Sequence, residues 1–332
     1  MYSLVLLLPL LGLSHAAQRT SPPSGCIVVA KSSSQAPYTS IQAAVNSLST
    51  TSTTRQCIFI YPGTYNEQVL VPARKAQLTI YGSTTDDTSY KSNTVLITQK
   101  KSQASGTPNN DETGTLRVKS DGFKLYNVDV ENSYGKGSQA VALSAYADSG
   151  YYGCRLRGYQ DTVLANKGKQ FYGKSEIVGV TDFIFGQDAP AWFEKVDVRV
   201  LAASLGYITA SGRSSSSSAN YYVFNNCNIA AASGNSVSNG AFYLGRPWRE
   251  YARVVFQRTQ MSAVINSAGW RIWNTGDERI SNVEFGEYGN SGTGASGTRA
   301  WFSKKLSQPV AIETVLGSGY ASAAWYDATY MK

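Results

Sequence analysis

The feature that most restricts the fold is a loose repeat, in which an aromatic residue is followed four or five residues later by an aliphatic one. The aromatic residues are separated by 26, 20, 21, 31 and 32 residues. This spacing is typical of a solenoid whose coils are short strands joined by turns, and it predicts an all-β parallel β-helix. A β-sandwich fits less well, because its turn signals recur about every 8–12 residues. The aromatic–aliphatic pairs are Tyr126 and Val130, Tyr152 and Leu156, Tyr172 and Ile177, Phe193 and Val198, Phe224 and Ile229, and Phe256 and Met261.

The chain has no linker that would divide it, and its 332 residues suffice for one large domain. Thr39 and Ser40 predict the cap of a short N-terminal helix, because apolar residues follow at helical spacing. Residues 310–316 predict a helix or coil that shields the last open end of the solenoid. The serine run 214–218 predicts an exposed loop. We therefore expect a single domain over residues 17–332.

Residues 1–16 have most features of a secretory signal peptide. An apolar run over residues 4–13 is interrupted by Pro9, and Ser14 and Ala16 place small residues before a cleavage point. The segment differs from the usual signal peptide in one respect, because the residues before the apolar run include no Lys or Arg. The run is too short to span a bilayer, so we expect a secreted, extracellular protein without a membrane anchor.

Histidine is absent from residues 17–332, because His15 is the only histidine of the chain. Its absence excludes Ser-His-Asp hydrolysis and histidine-ligated metal sites, and leaves carboxylates, amides, Arg, Lys, Tyr or water for any chemistry. The formal charge of +8 suits a polyanionic partner such as acidic polysaccharide, although solubility explains it equally well. No cluster of basic and aromatic residues indicates nucleic acid.

Four cysteines, Cys26, Cys57, Cys154 and Cys227, allow up to two disulfides in an oxidising compartment, with three possible pairings. No Cys-x-x-Cys motif indicates zinc. Cys154 and Cys227 fall at apolar positions of the pattern, so burial as free thiols is the alternative for them.

Two aspartates are separated by 21 residues, which is one coil of the predicted solenoid. Asp161 follows Gln160, and Asp182 interrupts the hydrophobic stretch of residues 180–186. A carboxylate in the interior of an apolar strand is costly to bury, so Asp182 needs a supporting partner. Together with Gln139, 22 residues before Asp161, the pair is expected to form an outward column at a spacing of ~4.8 Å. Phe183 and Phe185 would then face inward.

Two carboxylates at that spacing do not both ionise easily, so one becomes a proton donor and the other an anion. Arg246 is a candidate partner for the anion, and Trp248 offers a flat face to a sugar ring. Gln139 and Gln160 offer N–H donors for an oxyanion. Each of these residues, taken alone, also fits a structural role, such as ordering a turn or forming an ion pair. The joint pattern indicates a catalytic site.

These motifs resemble those of the pectin methylesterases of carbohydrate esterase family 8. The resemblance covers nearly all of residues 17–332, and Val163 and the pair Val180-Thr181 are small departures from the family pattern. The absence of a long N-terminal inhibitor-like region is similar to fungal members. The matching segments are residues 63–67 (GTYNE), 139–143 (QAVAL), 158–162 (GYQDT), 182–186 (DFIFG) and 244–248 (LGRPW), with 209–213 and 288–290 in support.

The resemblance implies a right-handed, single-stranded parallel β-helix that hydrolyses the C6 methyl esters of pectin (homogalacturonan) to pectate and methanol in cell-wall modification. It implies a nucleophilic role for Asp182 and the role of proton donor, then base, for Asp161. Gln139, with Gln160, is expected to stabilise the oxyanion. Arg246 is expected to orient Asp182, and Trp248 to line the sugar subsite.

The same resemblance implies no metal or other cofactor, and a monomer whose partner is the polysaccharide, with no nucleic acid or membrane partner. Two other functions stay open from the residues. Retaining glycosidases also pair carboxylates about 5–5.5 Å apart, although the histidine and additional aspartates of β-helical polygalacturonases are missing. A non-catalytic wall-binding β-helix has no need of the aspartate pair.

Overall fold

The structure is a computed structural model that describes residues 17–332; the predicted signal peptide lies outside the described residues. Within them, three sheets of parallel strands run along a solenoid, and successive coils add strands to the three sheets in turn. The predicted parallel β-helix is therefore confirmed. No helix of the described residues is both long and apolar enough to cross a membrane.

The strands of each sheet follow one another in chain order along the solenoid. The eleven-stranded sheet contains Ile27–Val29, Gln56–Ile60, Leu78–Gly82, Phe123–Tyr126, Ser149–Tyr152, Gln170–Gly173, Pro190–Glu194, Tyr221–Asn225, Arg253–Gln257, Glu284–Tyr288 and Ser303–Lys305. The eight-stranded sheet contains Gly63–Asn66, Val95–Gln99, Asp129–Asn132, Arg155–Arg157, Glu176–Gly179, Asp197–Val200, Asn228–Ala231 and Gln260–Met261. The seven-stranded sheet contains Val69–Val71, Leu116–Val118, Leu143–Ala145, Val163–Ala165, Ile184–Gly186, Gly206–Ser211 and Phe242–Pro247.

Helices are short and lie between strands or at the ends of the chain. The α-helices are Ile41–Ser47, Asn110–Thr113, Ile312–Leu316 and Ala328–Met331, and the 3-10 helices are Tyr90–Ser92, Gln103–Ser105, Thr293–Ala295 and Tyr320–Ser322.

The aliphatic half of the predicted repeat forms one continuous column inside the solenoid. All of its members pair in register on neighbouring strands of the eight-stranded sheet and are buried in the core. They are Val130, Leu156, Ile177, Val198, Ile229 and Met261.

The aromatic half of the repeat divides between the two faces of the eleven-stranded sheet. Tyr172, Phe193, Phe224 and Phe256 are in register inside the core, and neighbouring rings stack with centroids 4.6, 4.3 and 4.3 Å apart. Tyr152 instead pairs with Gly173, and Tyr126 and Tyr152 stack on the outer face. The inner aromatic position is therefore shifted by one residue here. Tyr151 takes the inner position, because a shift of one residue moves a side chain to the opposite face.

The predicted helix closes the N-terminal end of the solenoid. Its N-cap is Ser40, whose hydroxyl accepts a hydrogen bond from the Ala43 N–H at 3.3 Å, and its apolar face joins the core. A disulfide joins Cys26 to Cys57 and so links the first two strands of the eleven-stranded sheet. Cys154 and Cys227 are buried free thiols.

The helix Ile312–Leu316 does not shield the last open end, and that prediction was wrong. The outer face of the eleven-stranded sheet presents a row of large apolar side chains, and burying this area is the larger gain for an amphipathic helix. The last strand, Ser303–Lys305, consequently pairs on one side only, with Glu284–Tyr288. The helix contributes Val315 and Leu316 to a cluster with Phe171, Trp192, Tyr221, Val223 and Val255.

Candidate active site

The two aspartates lie at corners where the chain enters the seven-stranded sheet. Asp161 stands two residues before the strand Val163–Ala165, and Asp182 two residues before Ile184–Gly186. Val163 pairs with Ile184, so the aspartates are one strand spacing apart, ~4.8 Å along the axis. Both have left-handed backbone conformations, with φ of 65° and 49°. Aspartate is among the few non-glycine residues that tolerate this region.

Asp182 therefore occupies a turn, and its predicted place in the interior of a strand was wrong. Phe183 and Ile184 both belong to the core, whereas Phe185 lies on the outer surface with Leu164 and Ala210. The inward direction predicted for Phe185 was wrong as well, because regular alternation begins only at Ile184, where the strand starts.

Arg246 binds the Asp182 carboxylate through two parallel hydrogen bonds. Its Nε donates to Oδ1 at 2.9 Å and its Nη2 to Oδ2 at 2.7 Å. The guanidinium lies over Tyr207 and Trp273, 4.2 and 4.1 Å from their ring centroids. This paired geometry and the two aromatic contacts fix the guanidinium in place. Sequence reasoning missed Tyr207 and Trp273, because neither lies in a motif that marks it.

Asp161 has a different environment. Within residues 17–332 no cation forms an ion pair with it. Its Oδ2 accepts a 3.3 Å hydrogen bond from the side-chain amide of Asn110. Gln103 orients that amide by donating to its oxygen at 2.6 Å. Asn110 and Gln103 were also missed, because they lie on an excursion between two strands where the sequence shows no periodicity.

The surroundings raise the pKa of both carboxyl groups, but to different extents. Asp161 is 6% exposed and Asp182 is 7% exposed. Burial, and then the charge of Asp182, raise the pKa of Asp161 well above its usual range. Burial also raises the pKa of Asp182, but the hydrogen bonds and the charge of Arg246 oppose that rise. The pair consequently holds its proton on Asp161 and its negative charge on Asp182.

A cleft of about 260 Å³ opens onto this pair. It brings together all six predicted site residues, Gln139, Gln160, Asp161, Asp182, Arg246 and Trp248. Phe185 lies against Trp248, with ring centroids 6.0 Å apart, and forms an apolar wall. No group of three or more His, Cys, Asp or Glu side chains in the described part of the chain is arranged to hold a metal ion.

The two glutamines reach the cleft from neighbouring coils. The Ala140 N–H donates to the Gln160 carbonyl at 3.2 Å, which joins the coils beside Gln139. The side-chain oxygen of Gln139 accepts a hydrogen bond from the Ser138 hydroxyl at 3.4 Å. Within residues 17–332 neither amide nitrogen donates a hydrogen bond to a protein acceptor. Both Nε2 groups are therefore available to an oxygen atom in the cleft.

Several known proteins are similar to this chain in sequence and in architecture. The family model described as Pectinesterase matches residues 26–313. A pectinesterase of Aspergillus niger is 51% identical over 320 residues, covering 96% of this chain and 95% of the relative. The crystal structure of the pectin methylesterase from Aspergillus niger in deglycosylated form matches with a TM-score of 0.87 and 42% identity, covering 95% of this chain and 100% of that one. The pectin methylesterase from carrot matches with a TM-score of 0.80 and 29% identity, covering 93% and 99% of the two chains. The chain therefore belongs to the pectinesterase family, the carboxylic ester hydrolases that remove methyl groups from pectin.

Proposed function

We propose that this pectinesterase hydrolyses the C6 methyl esters of homogalacturonan by double displacement, with Asp182 as the nucleophile and Asp161 as the acid and then the base. The observation that carries the proposal is the asymmetry of the buried pair. Arg246 forms its ion pair with Asp182, while Asp161 has no such partner and lies next to the charge of Asp182, which favours its protonated form. An anion beside a proton donor is what acyl transfer to a carboxylate requires.

In the first half-reaction, an oxygen of Asp182 attacks the C6 carbonyl carbon of a methyl galacturonate. The carbonyl oxygen becomes an oxyanion, which the amide N–H groups of Gln139 and Gln160 stabilise. Asp161 transfers its proton to the methoxy oxygen as the bond from that oxygen to C6 breaks. Methanol leaves, and an anhydride between C6 and Asp182 remains.

In the second half-reaction, the ionised Asp161 takes a proton from water, and the resulting hydroxide attacks C6. The tetrahedral intermediate collapses and releases the Asp182 carboxylate together with a galacturonic acid, which loses its proton to solvent. Asp161 ends protonated, as it began. Arg246 keeps the nucleophile ionised and oriented, and Trp248 with Phe185 supports the sugar ring in the cleft.

The test is an assay on highly methylated pectin that measures methanol and new reducing ends together. We expect methanol without new reducing ends from the wild type, and no methanol from Asp182→Asn although pectin still binds. Normal turnover by that variant would make the nucleophile assignment wrong. New reducing ends without methanol would favour a glycosidase, and binding without either product would favour a non-catalytic wall-binding protein.

We also propose that the protein is secreted after cleavage behind Ala16 and acts as a monomer. The apolar segment of residues 4–13 and the extracellular location of pectin support secretion. N-terminal sequencing of secreted protein should begin at Ala17, and light scattering should give the mass of one chain. A retained leader, or the mass of a dimer, would contradict these two points separately.

A further inference from the structure

Trp301 is the most exposed large apolar side chain of residues 17–332, at 83%. It lies in the turn directly before the last strand, Ser303–Lys305, and its ring meets Phe302 edge-on with centroids 5.8 Å apart. Tryptophan normally buries most of its large surface in a folded protein. The packing of this chain therefore does not explain the exposure of Trp301.

A cavity of about 520 Å³ lies beside Trp301 at the C-terminal end of the solenoid, compared with about 260 Å³ for the catalytic cleft. Tyr288, Asn290, Lys304 and Lys305 also line it, and it shares no residue with the catalytic cleft. Two aromatic residues and two lysines thus border one concavity that the proposed mechanism does not use.

The cavity carries an excess of positive charge. Arg299 and Glu287 neutralise each other, because the guanidinium donates to both carboxylate oxygens at 2.8 and 2.9 Å. Lys304 and Lys305 are both exposed, and in the described part of the chain neither belongs to an ion pair. Two lysines without an ion pair thus border the same cavity as the exposed indole of Trp301.

We propose that Trp301, Lys304 and Lys305 form a second, non-catalytic binding site for the pectic polysaccharide, which holds de-esterified galacturonate units. The C–H face of a pyranose ring packs on the indole, and free carboxylates lie near the ammonium groups. Each hydrolysis replaces a neutral ester by a carboxylate, so the surface binds product segments more tightly than fully methylated pectin. The inference rests on pectin as the substrate but not on the assignment of the catalytic residues.

Neither protection of the sheet edge nor self-association accounts for the whole cluster. Lysines on an open edge strand discourage strand pairing between molecules, which explains Lys304 and Lys305 alone. An exposed tryptophan does not protect the edge strand in this way, because exposed apolar surface promotes association between molecules. A second copy of this chain would place like charges against each other, which opposes binding.

The distance between the two sites predicts which substrates use both. The last strand lies four strands beyond Pro190–Glu194, the strand that follows the Asp182 coil in the eleven-stranded sheet. That separation is ~19 Å along the axis at ~4.8 Å per strand. A polymer can occupy both sites, which raises its effective concentration at the cleft, whereas a methylated trigalacturonate is too short to gain from the second site.

The direct test is binding of polygalacturonate, which carries no methyl ester, measured by affinity electrophoresis and titration. We expect Trp301→Ala to weaken binding about tenfold, Trp301→Phe to retain most of it, and the double variant Lys304→Gln/Lys305→Gln to weaken binding and reduce its salt dependence. The matched control is Lys75→Gln/Lys91→Gln, which removes the same charge at exposed positions elsewhere and should bind nearly as the wild type.

Kinetics provide the second readout. Trp301→Ala should raise KM for partly de-esterified pectin about threefold to tenfold at unchanged kcat, and leave turnover of the short methylated substrate unchanged. Wild-type affinity for polygalacturonate in Trp301→Ala would overturn the inference. Equal losses on long and short substrates, or a wild-type dimer that Trp301→Ala dissociates, would overturn it too. A wild type that binds polygalacturonate but releases no methanol would refute the proposed function alone.

Discussion

Replacement of Arg246 by Gln should move the acidic limb of the pH–rate profile to higher pH. Arg246 makes two charge-assisted hydrogen bonds to a carboxylate whose side chain is 9% exposed, so solvent screens the pair weakly. Such bonds are worth about 1.5–3 kcal/mol each, and one pKa unit corresponds to about 1.4 kcal/mol. Their loss should raise the pKa of Asp182 further above its usual range, because burial then acts unopposed.

The sign of the effect follows from the role proposed for Asp182. The carboxylate attacks only when it is ionised, so a higher pKa removes activity at low pH and spares it at higher pH. We expect kcat/KM of Arg246→Gln to fall by about two orders of magnitude below the new pKa, in line with this shift, and to recover partly above it. The measurement is methanol release from methylated pectin across pH for the wild type and the variant.

Arg246→Lys is the matched control, because it keeps the positive charge and loses the paired geometry and the aromatic contacts. Its acidic limb should move less than that of Arg246→Gln. If Arg246→Gln lost the same factor at every pH and kept its acidic limb, Arg246 would position the substrate or the nucleophile without setting the pKa of Asp182. That result would refute the electrostatic reasoning.

Three further changes test the packing and the titration of the structure. Asp161→Asn should abolish methanol release and raise the free energy of unfolding by about 1–2 kcal/mol at pH 7, because it removes a buried carboxyl group. Burial raises the folded-state pKa of Asp161, so the wild type loses stability as pH rises through that pKa. The stability that Asp161→Asn gains over the wild type, measured by denaturation, should therefore be smaller at pH 4 than at pH 7. An equal gain at both pH values would contradict this titration. Cys26→Ser/Cys57→Ser should cost about 3–4 kcal/mol from the entropy of a loop with a sequence separation of 31, measured by chemical denaturation, and a loss below about 1 kcal/mol would contradict this magnitude. Burial raises the pKa of the Cys154 thiol to about 12, so a thiol reagent at pH 8 should label Cys154 only after unfolding, and labelling of the folded protein would contradict its burial.

The stability gain expected of Asp161→Asn reflects the cost of burying a carboxyl group in this site. A carboxyl group held protonated by burial is unfavourable at neutral pH, and the fold tolerates it because the surrounding coils are tightly packed. The rings of Phe193, Phe224 and Phe256 stack in those coils, with neighbouring centroids 4.3 Å apart.

Local sequence determined the class of fold and the order of its coils. Buried aliphatic residues recur once per coil because each coil must fill the same interior position, and all six predicted aliphatic positions are in register. The interval of 21 residues between Asp161 and Asp182 is likewise one coil, as the pairing of Val163 with Ile184 shows. A repeat in space leaves a repeat in the sequence, so these features were predictable.

Faces and turns were less predictable. Tyr151 and Tyr152 are adjacent aromatic residues, and nothing in their local pattern indicates which one faces inward. The left-handed conformation of Asp182 changed the direction of Phe185 in the same way. Both cases are shifts of a single residue, which hydrophobicity does not resolve when residues on both faces are apolar.

The remainder of the site was decided only in the tertiary structure. Arg246 is 64 residues from Asp182 in the chain, and its aromatic neighbours Tyr207 and Trp273 lie in segments without a motif. Their meeting depends on loop lengths and on the stacking of distant coils. The raised pKa of Asp161 depends on its burial, and the position of the helix Ile312–Leu316 depends on the apolar outer face of the eleven-stranded sheet. The sequence by itself determined which groups carry the chemistry, whereas burial and distance, which are properties of the assembled solenoid, decided the state and the partners of each group.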